Sequence, residues 1–481
     1  MAVDNKKRVF KGLAWSSIER FAAQGVNFVF TFIIARQLQP SDYGLIAMLG
    51  IFMALAQTFI DSGFLNALVQ KQDRTEVDYS TVFYFNIVVA ILIYLLLISL
   101  SDKIASFYNQ PLLTDLIIWV SINFVISSFA TVQRAILTIN LDFKRQAWIS
   151  LSSVFISGAV AVFMAYKEYG VYTLVFQGII KNLINVLLLW FSSSWRPSLV
   201  FSIQSFRGLF GFSSKILLGG FIANMYTNSY TLLIGKFFPA SDLGLYNRAE
   251  TISKFPAYNF TNILVRVFYP IECELQNDVE ALQGKFYSFL RMTSFVVFPI
   301  MLGICAMAEP IVRLTLTDKW MDAVPFIQIM CVAYMWDPIM RMTVDLLNVK
   351  HRSDLTLRAE VIKKTIAFLI LFLSLRGDLI VVCLGLLFYS FSDLLVVTYF
   401  THKLLPKVSF KQEMLVLLPI FLKASIMGLS MYSLKWLGLD DLPLLLLSIP
   451  VGIIVYIGIS LLTHTPESEF MVDKMRSVIY K

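Results

Sequence analysis

Charged residues are scarce in this 481-residue chain. Asp, Glu, Lys and Arg together make up 15% of it, against roughly 25% in soluble domains. That scarcity excludes a disordered chain, which needs high charge and low hydrophobicity. It also excludes an ordinary soluble enzyme. The chain is 57% hydrophobic, with a mean hydropathy of +0.71, and a soluble fold of this size would leave large apolar patches uncovered. Cysteine is sparse as well. Cys273, Cys305, Cys331 and Cys383 form no CxxC pair and read as small buried hydrophobes. His351, His402 and His464 are scattered and make no metal signature, so neither a metal nor a cofactor is expected. Neither GxxxxGK nor GxGxxG occurs, which gives an ATP-driven pump no support. The first apolar stretch carries Glu19 and Arg20 and lacks a small-residue cleavage site, so no cleavable signal peptide is expected. The apolar runs do not alternate in ~10-residue dyads, which argues against a β-barrel.

What the chain has is long apolar runs. About 20 mostly apolar residues span a bilayer as a helix. Fourteen such stretches lie near 13–35, 43–64, 80–100, 114–136, 147–166, 171–192, 208–235, 243–268, 287–308, 323–346, 357–375, 379–401, 414–434 and 442–463. The expected fold is therefore all-α, a polytopic integral membrane protein with about fourteen transmembrane helices and short connections. Fourteen spans place both termini on one side. Twenty basic residues fall on that side, among them Lys6, Lys71, Arg145 and Arg196, and eight fall opposite, among them Lys103 and Lys319. The imbalance predicts cytoplasmic termini. It also accounts for the net charge of +8 without nucleic acid.

The remaining twelve basic residues and seven acidic ones lie in the spans. An isolated charge at mid-bilayer costs at least ~2.5–3.5 kcal/mol, so such groups face a bundle interior or a watery cavity. Arg134, Lys363 and Lys364 read as side chains that snorkel at span ends. Arg20, Asp61, Arg248, Glu250, Lys254, Asp337 and Arg341 are harder to place that way.

Two segments repeat at a spacing of 200 residues. Pro40-Ser41-Asp42-Tyr43-Gly44-Leu45 and Ala240-Ser241-Asp242-Leu243-Gly244-Leu245 share the pattern SDxGL. Each closes one span and opens the next, where Pro and Gly suit a turn and Ser-Asp suits a helix cap. Six helices separate the copies, so the repeats are parallel, related by a pseudo-two-fold along the membrane normal. The expected domains are an N-terminal lobe, 1–200, a C-terminal lobe, 201–402, and two extra helices with a tail, 403–481. Substrate would bind between the lobes.

Polar residues form stripes at helical spacing. Arg20, Gln24, Asn27 and Thr31 share one face of span one. Asn224 and Asn228 lie on one face of span seven, its repeat mate. Glu250, Lys254 and Tyr258 lie on one face of span eight. In span ten, Asp337, Arg341 and Asp345 stand at i, i+4 and i+8, a spacing that also allows a self-neutralising ladder. For each stripe the structural alternative is polar contact between helices. As a cavity, the stripes supply the substrate-binding candidates Arg20, Gln24, Asn27, Asn224, Asn228, Arg248, Lys254 and Arg341, with Asp61, Glu250 and Asp337 as coupling-ion candidates.

Arg20-Phe21, Ile33-Ile34-Ala35-Arg36, Pro40, Asp42, Gly44, Leu45 and Asp61-Ser62-Gly63 resemble the N-terminal signature of bacterial polysaccharide flippases. So do Leu243-Gly244-Leu245-Tyr246-Asn247-Arg248-Ala249-Glu250 and Lys319-Trp320. Over essentially its whole length the chain is similar to the Wzx-type, WzxC-like branch of the multidrug/oligosaccharidyl-lipid/polysaccharide exporter superfamily. The resemblance implies a non-enzymatic inner-membrane flippase with a cationic cavity. It would carry a polyprenyl-diphosphate-linked oligosaccharide across by alternating access for lipopolysaccharide, exopolysaccharide or capsule synthesis. Its expected partners are that glycan and membrane lipid, with room for other polysaccharide-assembly proteins. Of the site residues, Arg20, Arg36, Asp61, Arg248 and Glu250 lie in the matched segments. Lys254 and Arg341 rest on facing and charge. Two alternatives stay open: a drug/cation antiporter of the same superfamily, which would favour carboxylates in its cavity, and a membrane-embedded glycan polymerase or ligase.

Overall fold

The computed structural model describes residues 22–61, 64–71, 73–140, 142–463 and 465. Among them every regular element is a helix. In chain order these are α1 (22–37), α2 (Pro40–Asp61), α3 (Phe64–Gln70), α4 (Glu76–Tyr108), α5 (Leu112–Ser128), α6 (Thr131–Ile139), α7 (Phe143–Tyr166), α8 (Tyr172–Ser192), α9 (Ile203–Thr227) and α10 (Ser229–Phe237). There follow α11 (Ala240–Glu274), α12 (Val279–Ala306), α13 (Ala308–Thr315), α14 (Val324–Tyr334), α15 (Asp337–Val349), α16 (Ser353–Ser374), α17 (Leu379–His402), α18 (Phe410–Ser433) and α19 (Asp441–Leu462). Short 3-10 turns occupy Asp318–Ala323 and Leu434–Leu437.

The described part of each of the fourteen apolar ranges falls on one of these helices or helix pairs. Among the described residues nine helical stretches are long and apolar enough to cross a membrane, and α5 with α6, bent by 43° at their break, makes a tenth. The chain is a multi-pass membrane protein. Among the described residues α11 and α16 are not in that set, and they hold Glu250, Lys254, Glu360 and Lys363.

Local chemistry sets the boundaries. Thr75 and Asp78 form a capping box at the start of α4, and Asp142, Asp278 and Ser409 cap α7, α12 and α18. Such caps satisfy amide groups that have no partner inside the helix. Asn109 closes α4 in the left-handed region, at φ 54°, a conformation asparagine tolerates.

By packing, the chain divides into two compact units between Gly244 and Leu245. This division places α9 and α10, which pack on α2, in the first unit. The boundary at 200/201 expected from the repeat is a separate, sequence-based line. In the first unit α4 lies on α5, α7 on α8 and α5 on α8. Phe64, Leu68, Val82, Phe83, Val132 and Leu209 form a core cluster there. The connection from α8 to α9 is sewn along the first turns of α4. Trp195 Nε1 donates to Glu76 at 2.7 Å, the Ser198 amide to Ser80 Oγ at 3.1 Å and the Ser202 amide to Thr81 Oγ1 at 3.1 Å. Ser205 donates to Asp78 as well.

The two repeat motifs meet within this unit. A Cβ on Gly44 would collide with the carbonyl of Ala240, and a Cβ on Gly244 would collide with the carbonyl of Pro40. The contact is reciprocal: positions 40 and 44 meet 244 and 240. It brings two helix starts into backbone contact that only glycine permits.

In the second unit α12 packs on α18, α16 and α14 on α17, and α18 on α19. Leu347, Leu355, Ala359 and Phe400 form one of its core clusters. At one end of the unit Arg313 binds Glu309, Asp318 and Asp441, each at 3.1–3.2 Å, and Lys435 binds Glu309 at 2.8 Å. This ties α13 to the turn between α18 and α19.

Candidate functional site

A polar cluster stands in the second unit, where α11 meets α14. Lys254 Nζ stands 3.2 Å from Glu250 Oε1, one turn earlier. Tyr334 donates its hydroxyl to the same carboxylate at 3.0 Å, and the ammonium lies 5.4 Å from the Tyr334 ring centroid. Between them on the helix, Ser253 donates to the Ile327 carbonyl at 3.3 Å and accepts from Cys331 at 3.5 Å. Lys254 is nevertheless 42% exposed. A carboxylate and an aromatic face hold the cation without enclosing it.

Arg248 is different. It is 6% exposed, and its guanidinium lies 5.6 Å from the ring centroid of the fully buried Trp320. The YNRAE stretch and the Lys319-Trp320 pair, far apart in sequence, thus pack together at this point. Arg248 belongs to the packed interior of the unit.

The expected ladder on α15 is split. Arg341 Nε pairs with Asp345 at 3.4 Å, with Arg341 57% exposed. Asp337 is half-buried at the start of α15, within electrostatic reach of Lys254, Lys363, Asp393 and Glu250. A further group stands on α16 and α17. Lys363 binds Asp393 at 2.9 Å and Glu360 at 2.7 Å, and Tyr389 donates to Asp393 at 3.2 Å. The sequence reading of Lys363 as a snorkelling side chain is corrected by this geometry, because its side chain is only 7% exposed and ends on a buried carboxylate. The spacing of Glu360 and Lys363 signals their own pair. Asp393, thirty residues away, comes to the lysine only through packing.

In the first unit Asn224 donates to Thr58 Oγ1 at 2.8 Å, and Asn228 donates to the Asn224 carbonyl at 2.9 Å. Both amides are engaged where α9 faces α2. Gln24 is half-buried and Asn27 exposed on α1. Arg20 and the side chain of Asp61 lie outside the described residues. The structure therefore brings Glu250, Lys254 and Asp337 together, and separately Asn224 with Asn228. A cavity of about 590 Å³ lies elsewhere in this unit, lined by Lys71, Thr75, Asp78, Ser202 and Ser205 among others, and none of the candidate residues lines it. Among the described residues no group of three or more His, Cys, Asp or Glu side chains could hold a metal ion. The four cysteines are free thiols.

A family model described as "Polysaccharide biosynthesis protein" matches residues 33–325. The chain is 26% identical over 360 residues to the lipopolysaccharide biosynthesis protein WzxC of Escherichia coli (strain K12), covering 74% of this chain and 73% of that protein. It is 24% identical over 330 residues to the succinoglycan biosynthesis transport protein ExoT of Rhizobium meliloti (strain 1021), covering 68% and 67%. Among solved structures, the lipid II flippase MurJ in an inward closed conformation superposes with a TM-score of 0.71 at 16% identity, over 93% of this chain and 98% of that one. An inward-facing multidrug resistance MATE transporter of the MOP superfamily gives 0.56 at 12% identity, over 82% and 99%. These structures share the fold. The family match spans well over half the chain and takes in the repeat motifs, the YNRAE stretch and the Trp320 on which it packs, and on that ground the chain belongs to the polysaccharide biosynthesis protein family.

Proposed function

We propose that this protein is a flippase that carries a polyprenyl-diphosphate-linked oligosaccharide from the cytoplasmic to the outer leaflet of a bacterial inner membrane. The single observation that carries the reading is Lys254. It is a cation in the middle of the 35-residue helix α11, tethered by Glu250 and Tyr334 yet 42% exposed. A charge so exposed on a helix of a membrane protein requires water, not lipid, at its tip. That is the surrounding an anionic headgroup needs in transit. Names of relatives support the class: WzxC in lipopolysaccharide biosynthesis and ExoT as a transport protein for succinoglycan. In this reading fourteen spans form two six-helix lobes about a pseudo-two-fold, with 403–481 added. The reciprocal Gly44 and Gly244 contact supports that symmetry.

Chemically, a unit charge ~4 Å from a phosphate oxygen gains roughly 4 kcal/mol at an effective dielectric of about 20, before desolvation of both groups reduces it. The carboxylate partner matters. Glu250 competes with the phosphate for Lys254, so the headgroup is held loosely enough to leave. Asp337, within electrostatic reach of both, and Asp61 are the carboxylates through which a coupling ion would act. Arg341 and Arg20 would extend the cationic lining. Gln24 and Asn27, with the amides of Asn224 and Asn228, would offer hydrogen bonds to sugar.

The test is charge reversal in cells that depend on the transporter. Lys254→Glu abolishes glycan export while protein abundance stays normal. The exchanged pair, Glu250→Lys with Lys254→Glu, restores abundance and export only if the two residues serve as a structural ion pair. Normal export by a stably expressed Lys254→Glu protein sinks the assignment. A drug/cation antiporter would instead keep its transport with Lys254 reversed and lose it with Glu250→Gln.

A further inference from the structure

The α5–α6 break has a consequence in the first unit, at residues that the proposed cavity does not use. The helix ends at Ser128 and restarts at Thr131, bent by 43°. The carbonyl of Phe129, freed by the break, accepts from Trp190 Nε1 at 2.9 Å. This draws the C-terminal end of α8 alongside and leaves a notch of about 340 Å³ lined by Phe129, Val186, Leu187, Trp190, Phe191 and Arg196. Its walls are apolar, and Phe191 is 84% exposed. Trp148, on the neighbouring α7, is 59% exposed as well. In a bilayer these surfaces meet acyl chains, and tryptophans mark the headgroup level.

One rim of the notch is cationic. Arg196 lies 5.3 Å from the Trp190 ring centroid and donates to the carbonyls of Ser193, Trp195 and Trp190 at 2.7, 2.8 and 3.2 Å. Arg145 donates to the carbonyl of Ser192 at 2.8 Å. Carbonyls fix both guanidinium groups in place without neutralising them. Asp142 stands 3.5 Å from Arg145 and offsets part of its charge. Among the described residues Arg196 has no carboxylate within ion-pair distance. An arginine has five donors in a planar fork; three are spent on these carbonyls, and the Nε–H and one Nη2–H remain for a phosphate.

We propose that this notch is a binding site for an anionic phospholipid, one acyl chain lying against Phe129, Leu187 and Trp190 and the phosphate against Arg196 and Arg145. The charge complementarity of the rim selects the headgroup, and the apolar break accepts the chain. The site is independent of the transport reading, since none of its residues belongs to the proposed cavity.

The test uses full-length protein in nanodiscs and quenching of tryptophan fluorescence by brominated lipids. The portion of quenching lost in Trp190→Phe reports the notch. Brominated phosphatidylglycerol should quench that portion severalfold more strongly than brominated phosphatidylcholine. Arg145→Gln with Arg196→Gln should bring the two lipids to equality while quenching by phosphatidylcholine, and elution on gel filtration, stay as in the wild type. Arg196→Lys should keep most of the preference, and Arg207→Gln, a control on another helix, all of it. Equal quenching by both lipids in the wild type overturns the proposal. So does displacement of phosphatidylglycerol by equimolar polyprenyl diphosphate, which would make the notch a substrate site.

Discussion

A lysine almost sealed inside a helix bundle must be neutralised where it stands, and Lys363 has Asp393 and Glu360 at 2.9 and 2.7 Å to do so. Removing one member strands the others, and breaking a buried pair costs about 3–5 kcal/mol. Lys363→Met should therefore lower the melting temperature in detergent sharply. Lys363→Met with Asp393→Leu should recover most of the loss, because an apolar pair of similar volume removes the stranded charge. If the double variant melts as low as the single one, the pair is not what stabilises the bundle there. The contrast with Lys254 is instructive. Both were visible in the sequence as cations in apolar stretches, and for Lys254 the partner Glu250 could be read from the i, i+4 spacing. Tyr334, which completes that cluster, could not, and neither could Asp393, because both partners sit on other helices. Charge spacing along one helix is legible in sequence. Which helices face each other is not.

Helix starts and ends followed from composition more closely than helix faces did. The caps at Thr75, Asp142, Asp278 and Ser409 extend α4, α7, α12 and α18 outward past the apolar cores that marked them, as polar end turns continue a helix beyond its lipid-compatible stretch. The SDxGL repeat was legible as a turn and a cap. The reason for its glycine was not, because the neighbour that forbids a side chain is 200 residues away. This gives a prediction with a diagnostic sign. In an unconstrained helix Gly→Ala stabilises by about 1 kcal/mol. At Gly44 and at Gly244 the added methyl would meet backbone of the other motif, so Gly44→Ala and Gly244→Ala should each lower the melting temperature, with Gly208→Ala, where nothing lies within 4 Å of the added carbon, raising it or leaving it unchanged. A stabilised Gly44→Ala protein would remove the contact from the account.

At the scale of the molecule, composition alone dictated a helical membrane protein, and the distribution of basic residues predicts an orientation with cytoplasmic termini. Cysteines placed singly on a background without Cys273, Cys305, Cys331 and Cys383 test that orientation. Labelling from outside should reach positions 103 and 319 and should not reach 6 or 476; the opposite pattern would invert the topology. The stitched connection between α8 and α9 adds a mechanical point. A loop between helices is ordinarily a slack rope, paid out as the parts it joins move apart. Here the rope is nailed along a post: α4 runs 33 residues, about 50 Å at 1.5 Å per residue, which exceeds the ~30 Å hydrocarbon thickness, and its first turns hold Trp195, Ser198, Ser202 and Ser205 in succession. With no length to spare, the near end of α9 is a hub, and any stroke the helix makes is that of a spoke, small beside α4 and widest at the far end, where Asn224 and Asn228 lie.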